Sequence, residues 1–224
     1  MRVPAGTEIR VRAVLFDMDG TLVNSNAAVL LVWRRWAKRH GLDGDAITAS
    51  THGRRAADTI RSYAPASVDL AAEVAWLEEH ELAERDGIVA VPGARELVAA
   101  LPPDRVALVT SAPRALAAMR LERAGIPIPN VFIGAEDVSR GKPDPEGYLE
   151  AARRLGVEAR DCLVVEDAPA GLEAGRNAGA PVLAVATTLP PHELDAWDWL
   201  PDLSSVSFTR AGEVLVLRVA DDSD

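Results

Sequence analysis

The chain has 224 residues, 48% of them hydrophobic and 26% charged, with a net charge of −10. This is the composition of a soluble globular protein of one large domain, or of one domain with a small insertion, and its acidity argues against nucleic acid or an anionic membrane as main partner. A single cysteine, Cys162, excludes an internal disulfide framework and suits a reducing compartment; no run reaches the ~18 apolar residues of a membrane span and Met1 to Gly6 lacks an apolar signal core, so a cytoplasmic location is expected.

Ala13 to Phe16, after Arg12, reads as a buried strand that ends in two carboxylates, Asp17 and Asp19, followed by Gly20. Two anions ~4 Å apart repel by about 4 kcal/mol at a surface-like dielectric. The pair is therefore either an acidic turn of the Asp-Gly kind or a site where a metal ion offsets the repulsion. Asn24 to His40 has helical spacing, with Ser25 or Asn26 as its cap and Gly41 at its end. Arg34, Arg35, Lys38 and Arg39 read as a solvated face rather than a nucleic-acid surface, and Trp33 and Trp36 as packing residues. Ala56 to Tyr63 and Val68 to Arg85 are further helices, with breaks around Ala49-Ser50-Thr51 and Ala64-Pro65-Ala66-Ser67.

From Pro92 the pattern alternates. Strands are expected at 105–109, 131–133, 163–165 and 182–185, and helices at 94–101, 114–124, 145–155 and 170–178. Strands joined by single helices imply a parallel sheet with right-handed crossovers. The fold expected is thus α/β, a Rossmann-like parallel sheet core formed by residues 1–23 plus 88–224. A helical domain, 24–87, is inserted after the first strand, with hinges near 22–25 and 87–93. Ser205 to Val219 suggests a hairpin, Asp221 to Asp224 a frayed tail, and Cys162 a small core residue.

The polar residues fall at strand ends. Asp17 and Asp19 follow the first strand, Thr110-Ser111 the strand at 105–109, and Glu166-Asp167 the strand at 163–165. Lys142 lies in the Gly-Lys-Pro-Asp-Pro turn before the 145–155 helix. In a parallel sheet these positions share one edge, where ligands bind. Each has a plain alternative: a cap for Thr110, a solvated charge for Lys142, a helix N-cap for Glu166-Asp167. Their joint occurrence, in this order, is what those alternatives explain poorly.

DMDGTL at 17–22, VTSA at 109–112, GKPDP at 141–145 and VVEDAPAGLEAG at 164–175 resemble, in order, the four motifs of the haloacid dehalogenase-like hydrolase superfamily. The helical insert resembles that family's small cap domain. More narrowly, His52-Gly53-Arg54-Arg55, Val91-Pro92-Gly93-Ala94 and Glu166 to Gly171 are similar to its sugar- and polyol-phosphate phosphatases, which include the hexose-phosphate and glycerol phosphatases.

The resemblance implies a Mg²⁺-dependent phosphatase in which Asp17 attacks phosphorus and forms an aspartyl-phosphate. Mg²⁺ would be held by Asp17, the main-chain carbonyl of Asp19 and Asp167, with Glu166 behind them or reaching the ion through water. Asp19 would serve as general acid and then base. Thr110, Lys142 and the N–H groups of Ser111 and Met18 would hold the phosphoryl oxygens. His52, Arg54 and Arg55 would face the leaving group, Arg55 foremost, unless they merely form a solvated helix start. Asn24 stands where many relatives carry a second acid. The partner expected is a small phosphorylated metabolite, with no nucleic acid and no membrane, and the chain a monomer or weak homodimer. The rivals are a phosphosugar mutase of the β-phosphoglucomutase type and a catalytically silent regulatory protein. Dehalogenase chemistry is disfavoured, because Asp19 and the Glu166-Asp167 pair suit phosphate.

Overall fold

In a computed structural model, residues 1–48, 51–65 and 67–220 are described. Parts of the two breaks expected in the helical region, Ala49-Ser50 and Ala66, lie outside them, as does the tail from Asp221 to Asp224. Strand β1 (Glu8–Val11) runs through Arg12 into β2 (Ala13–Phe16). The chain leaves for a helical block at β3 (Val23–Asn24) and returns at β4 (Val89–Ala90), and these two short strands pair antiparallel. Between them lie α1 (Asn26–His40), α2 (Gly44–Thr48), α3 (Ala56–Tyr63) and α4 (Leu70–Ala83). Then follow α5 (Ala94–Ala100), β5 (Val106–Val109), α6 (Arg114–Ala124), β6 (Val131–Ile133), α7 (Glu146–Leu155), β7 (Cys162–Glu166) and α8 (Pro169–Asn177). The chain ends with β8 (Val182–Val185), β9 (Asp198–Leu200), β10 (Val206–Ala211) and β11 (Val214–Val219).

The central sheet is parallel, in the order β6-β5-β2-β7-β8-β9. Its central strands β5, β2 and β7 are buried on both faces, so they read as apolar runs, and successive residues still alternate between faces. Val14 and Phe16 join Val106, Leu108, Leu163 and Val165 against Leu97 of α5 and Leu116 of α6. Leu15 joins Ala107, Val109 and Val164 against Tyr148 and Ala151 of α7 and Ala174 of α8. Burial of each large apolar side chain contributes about 1.5–3 kcal/mol. Cys162 is part of this core, and burial pushes its thiol up to about 12.

The helical block has a core of its own, built on Val32, Trp33, Trp36, Ile47, Ile60 and Leu77. Trp36 Nε1 donates to Glu73 Oε2 at 2.8 Å, and Asp69 caps α4 by accepting from the N–H groups of Ala71 and Ala72. The basic face of α1 is solvated: Arg34 pairs with Asp45, Arg35 with Glu84, and Arg39 lies over Trp76.

Several local expectations differ from the structure. Helix α1 starts at Asn26, because Asn24 is taken by the β3–β4 pairing. Ser25 is its N-cap residue but makes no capping hydrogen bond, since its hydroxyl goes to Asp19 instead. The C-terminal hairpin is present as β10–β11 and is joined by β1 into a three-stranded antiparallel sheet that the sequence reading does not contain. Strand β9 is likewise additional. Among the described residues no helix is long and apolar enough to cross a membrane.

Candidate active site

Parallel pairing brings the motifs together. Phe16 lies opposite Leu108 on one side and Val165 on the other, so the residues that follow β2, β5 and β7 emerge along one sheet edge. Lys142 reaches them from the loop before α7. Its Nζ donates to Asp17 Oδ1 at 2.5 Å, to Glu166 Oε1 at 2.6 Å and to the Val109 carbonyl at 3.1 Å, which uses all three ammonium hydrogens. Glu166 is equally committed. Its Oε1 also accepts from the Tyr148 hydroxyl at 3.1 Å, and its Oε2 accepts from the N–H groups of Asp167 and Ala168. Gly171 faces it in α8, where any Cβ would overlap the Glu166 carboxylate. Asp167 accepts from Thr21 Oγ1 at 3.0 Å and from the Thr188 hydroxyl.

Asp17, Glu166 and Asp167 are all buried, and lysine is the one cation in direct contact with them among the described residues. Burial, then repulsion from Glu166, pushes Asp17 well above the usual carboxylate range, against the pull of Lys142. Burial and Glu166 push Asp167 up to about 8. For Lys142, burial favours the neutral amine, but Asp17 and Glu166 outweigh it and keep the ammonium charged. An excess of buried negative charge remains. One oxygen from each of the three carboxylates lies within 4.8 Å of the others. This all-oxygen set could hold a hard divalent cation, whose charge would offset that excess.

Asp19 stands apart from this cluster. Its Oδ1 accepts from Ser25 Oγ at 2.6 Å and its Oδ2 from Arg120 Nη1 at 2.8 Å, which leaves its main-chain carbonyl as the atom that could reach a metal. Asp17 and Asp19 open together onto a cleft between the sheet edge and the helical block. Thr110 and Ser111 line its floor, and His52 and Arg54 its far wall with Asn26, Trp33, Glu78 and Glu81. Burial lowers His52 below the ordinary imidazole range, against the pull of Asp19. The Glu78 side chain makes no hydrogen bond or ion pair among the described residues, and burial, then repulsion from Glu136, raises its carboxyl above the ordinary range. Ser111 Oγ donates to the Gly53 carbonyl at 2.9 Å, joining the sheet edge to the helical block.

Of the residues singled out in the sequence, Asp17, Asp19, Thr110, Ser111, His52 and Arg54 therefore share one cleft, with Lys142, Glu166 and Asp167 packed behind Asp17. Arg55 is placed elsewhere. It bonds Asp58 and reaches the carbonyls of Val138 and Ser139 across the seam, outside the cleft that holds Asp17. The N–H groups of Met18 and Ser111 donate to no protein acceptor among the described residues. In the sequence, Arg120, Glu81, Tyr148 and Thr188 carry no assigned site role, and Ser25 reads only as a helix cap. For Arg120 a signal existed: it sits four residues from both Leu116 and Ala124, on the apolar stripe of α6. Glu81 shares such a stripe on α4 with Leu77.

The family description "haloacid dehalogenase-like hydrolase" matches residues 11–179. Over 215 residues the chain is 40% identical to hexitol phosphatase A of Escherichia coli, covering 93% of this chain and 100% of that protein. It is 42% identical over 211 residues to validoxylamine A 7′-phosphate phosphatase of Streptomyces hygroscopicus, covering 90% and 98% respectively. Among solved structures, a hydrolase from Pseudomonas syringae superposes with a TM-score of 0.75 at 25% identity, over 86% of this chain and 94% of that one. With its motifs ordered along one sheet edge and matches that run nearly end to end, the chain belongs to the haloacid dehalogenase-like hydrolase family.

Proposed function

We propose that the protein is a Mg²⁺-dependent phosphatase that hydrolyses small phosphorylated sugars or polyols through an aspartyl-phosphate on Asp17. The observation that carries this reading is the Asp17 carboxylate, with one oxygen fixed on Lys142 and the cleft of Asp19, Thr110 and Ser111 before it. The hexitol phosphatase relative supports the substrate class. In this reading residues 24–87 are the cap over a catalytic core of 1–23 plus 88–224, and the single buried thiol suits work in the reducing cytoplasm.

Asp17, Asp167 and the Asp19 carbonyl would hold Mg²⁺, which when bound offsets the repulsion between the Asp17 carboxylate and a phosphate dianion. The free oxygen of Asp17 attacks phosphorus as the ester P–O bond breaks, which splits one difficult displacement into two. The Thr110 hydroxyl and the Met18 and Ser111 N–H groups hold the phosphoryl oxygens, while Lys142, whose three hydrogens are committed, keeps the Asp17 carboxylate oriented. The departing alkoxide takes its proton from Asp19. Arg120 has donors only, so Oδ2 stays unprotonated, whereas the Ser25 hydroxyl can donate or accept, so the transferable proton belongs on Oδ1. In the second half Oδ1 takes a proton from the water that attacks the acyl phosphate, and Asp17 is released.

The far wall favours a neutral polyhydroxy leaving group. Arg120 is committed to Asp19 and Glu81, and Arg54 also faces an outer cleft with Arg61 and Arg140. Glu78, His52 and Asn26 remain to exchange hydrogen bonds with hydroxyls, and Glu78 repels an acidic group. A second phosphate, as a mutase requires, would meet the same repulsion. The test is phosphate release across sugar, polyol and glycolate phosphates with Mg²⁺, together with hexose 1-phosphate assayed for both phosphate and hexose 6-phosphate. Polyol phosphates are expected to be hydrolysed best, and Asp17→Asn to abolish turnover. Isomer formed without phosphate release would mean a mutase.

A further inference from the structure

Arg120 is an arginine on a buried stripe. Leu116 and Ala124, one turn to either side on α6, are buried, and so is Arg120 itself. Its guanidinium spans two acids from different parts of the fold. Nη1 donates to Asp19 Oδ2 at 2.8 Å, in the loop after β2, and Nη2 to Glu81 Oε1 at 3.4 Å, on α4 of the helical block. Its Nε, also buried, has no partner among the described residues. A triad of this kind is weak as a source of stability, since apolar side chains of similar volume often do as well or better. What it does supply is direction. Arg120 fixes one oxygen of Asp19 while Ser25, at the start of α1, fixes the other. Both restraints run to the helical block, one through the entry to α1 and one through Glu81.

We infer that Arg120 is a positioning residue, one that aligns the Asp19 carboxyl for proton exchange with the leaving group and makes that alignment depend on the seating of α4 through Glu81. The inference rests on the phosphatase reading above, in which Asp19 handles the proton. The planar guanidinium suits the task because it holds two carboxylates in a fixed fork, which a lysine ammonium does not.

The test compares leaving groups. The alkoxides of glycerol 1-phosphate and sorbitol 6-phosphate need a proton to depart, whereas p-nitrophenolate leaves without one. Arg120→Ala and Arg120→Lys are expected to lower kcat on the polyol phosphates about 10²-fold with little change in KM, and to leave the first-turnover release of p-nitrophenolate, the step that needs no proton from Asp19, within about threefold of wild type. Glu81→Gln is expected to show the same split at about tenfold. Thermal unfolding identifies the folded variants, and Arg120→Lys and Glu81→Gln carry the test if the alanine variant does not fold. Equal losses in the first-turnover release of both kinds of leaving group would mean a structural role and overturn the inference. The substrate reading is tested on wild type alone: an enzyme that cleaves p-nitrophenyl phosphate but neither polyol phosphate would overturn that reading, and the inference with it.

Discussion

Lys142 Nζ lies 2.6 Å from Glu166 Oε1, and every other acceptor site used on Glu166 is also filled, by Tyr148 and by the Asp167 and Ala168 N–H groups. Glu166 is thus anchored on four donors and in turn fixes the lysine that holds Asp17. Lys142→Ala is expected to lower kcat by about 10²–10³ or more, the loss that follows removal of the donor to Asp17, whose oxygen regains charge as the acyl phosphate is hydrolysed. Glu166→Gln should lose about tenfold or more, because all four partners are donors and the amide sets its NH2 against one pair of them, which loosens the hold on Lys142. Phosphate-release kinetics on both variants decide the matter. A Lys142→Ala enzyme with normal kcat would remove the lysine from the mechanism.

The buried acids also set how stability responds to pH. An unfolded aspartate titrates near ~3.9, and Asp167 in the fold is pushed up to about 8, by burial first and Glu166 second. Between those values the folded chain binds more protons than the unfolded one, so stability falls as pH rises through the window. Bound Mg²⁺ favours the ionised carboxylates and should flatten the slope. In EDTA the thermal midpoint is therefore expected to drop from pH 5 to pH 8, and to drop less with millimolar Mg²⁺ or in Asp167→Asn. A metal-free midpoint that rises across this range would contradict the charge balance described for the cluster.

How much of this was legible follows from where each signal lies in the chain. Asp17, Asp19, Glu166 and Asp167 directly follow apolar runs, and in a parallel sheet that position fixes their place in space, so they could be gathered on one edge before any coordinates. Arg120 and Glu81 lie within helices, and their meeting depends on how α4 seats against α6, a tertiary fact with only the broken apolar stripe to hint at it. Ser25 looked like a helix cap, and by position it is one, but the nearby Asp19 carboxylate is the stronger acceptor for its hydroxyl. Arg55 shows the converse limit: side by side in sequence, Arg54 and Arg55 point to different places, and Asp58 three residues on pulls Arg55 to the seam. Strand β1 was missed because Glu8 to Val11 mixes charged and apolar residues on a half-exposed edge, which reads as a loop until β11 is placed beside it.

Glu78 offers a test of selectivity independent of rate. It faces the cleft without a cation of its own, so its charge should act mainly against acidic leaving groups. Glu78→Gln keeps an acceptor for hydroxyls and removes the repulsion. The ratio of kcat/KM for glycerol 1-phosphate to that for 2-phosphoglycolate is expected to fall by about fivefold to tenfold, the effect of about 1 kcal/mol of screened repulsion. An unchanged ratio would show that the carboxylate does not sense the leaving group.

Gly171 gives the most direct test that the support behind Lys142 is as tight as the distances suggest. It lies in α8, where alanine is a better helix former by about 1 kcal/mol, so on propensity alone Gly171→Ala should stabilise the protein. The methyl group, however, would overlap the Glu166 carboxylate, which is fully buried and bonded on both oxygens. Either Glu166 moves, taking Lys142 with it, or α8 shifts away from the sheet, and overpacking of this kind costs about 1–3 kcal/mol. The expected result is a lower denaturation midpoint together with a fall in kcat, KM changing little because the far wall of the cleft is untouched. Gly156→Ala is the control: it follows α7 at φ 68° with open space around it, so it should bear a backbone cost of about 1 kcal/mol and keep full activity. If Gly171→Ala gained stability and retained kcat, the Glu166 carboxylate would have room to yield, and its fixed hold on Lys142 would have to be given up.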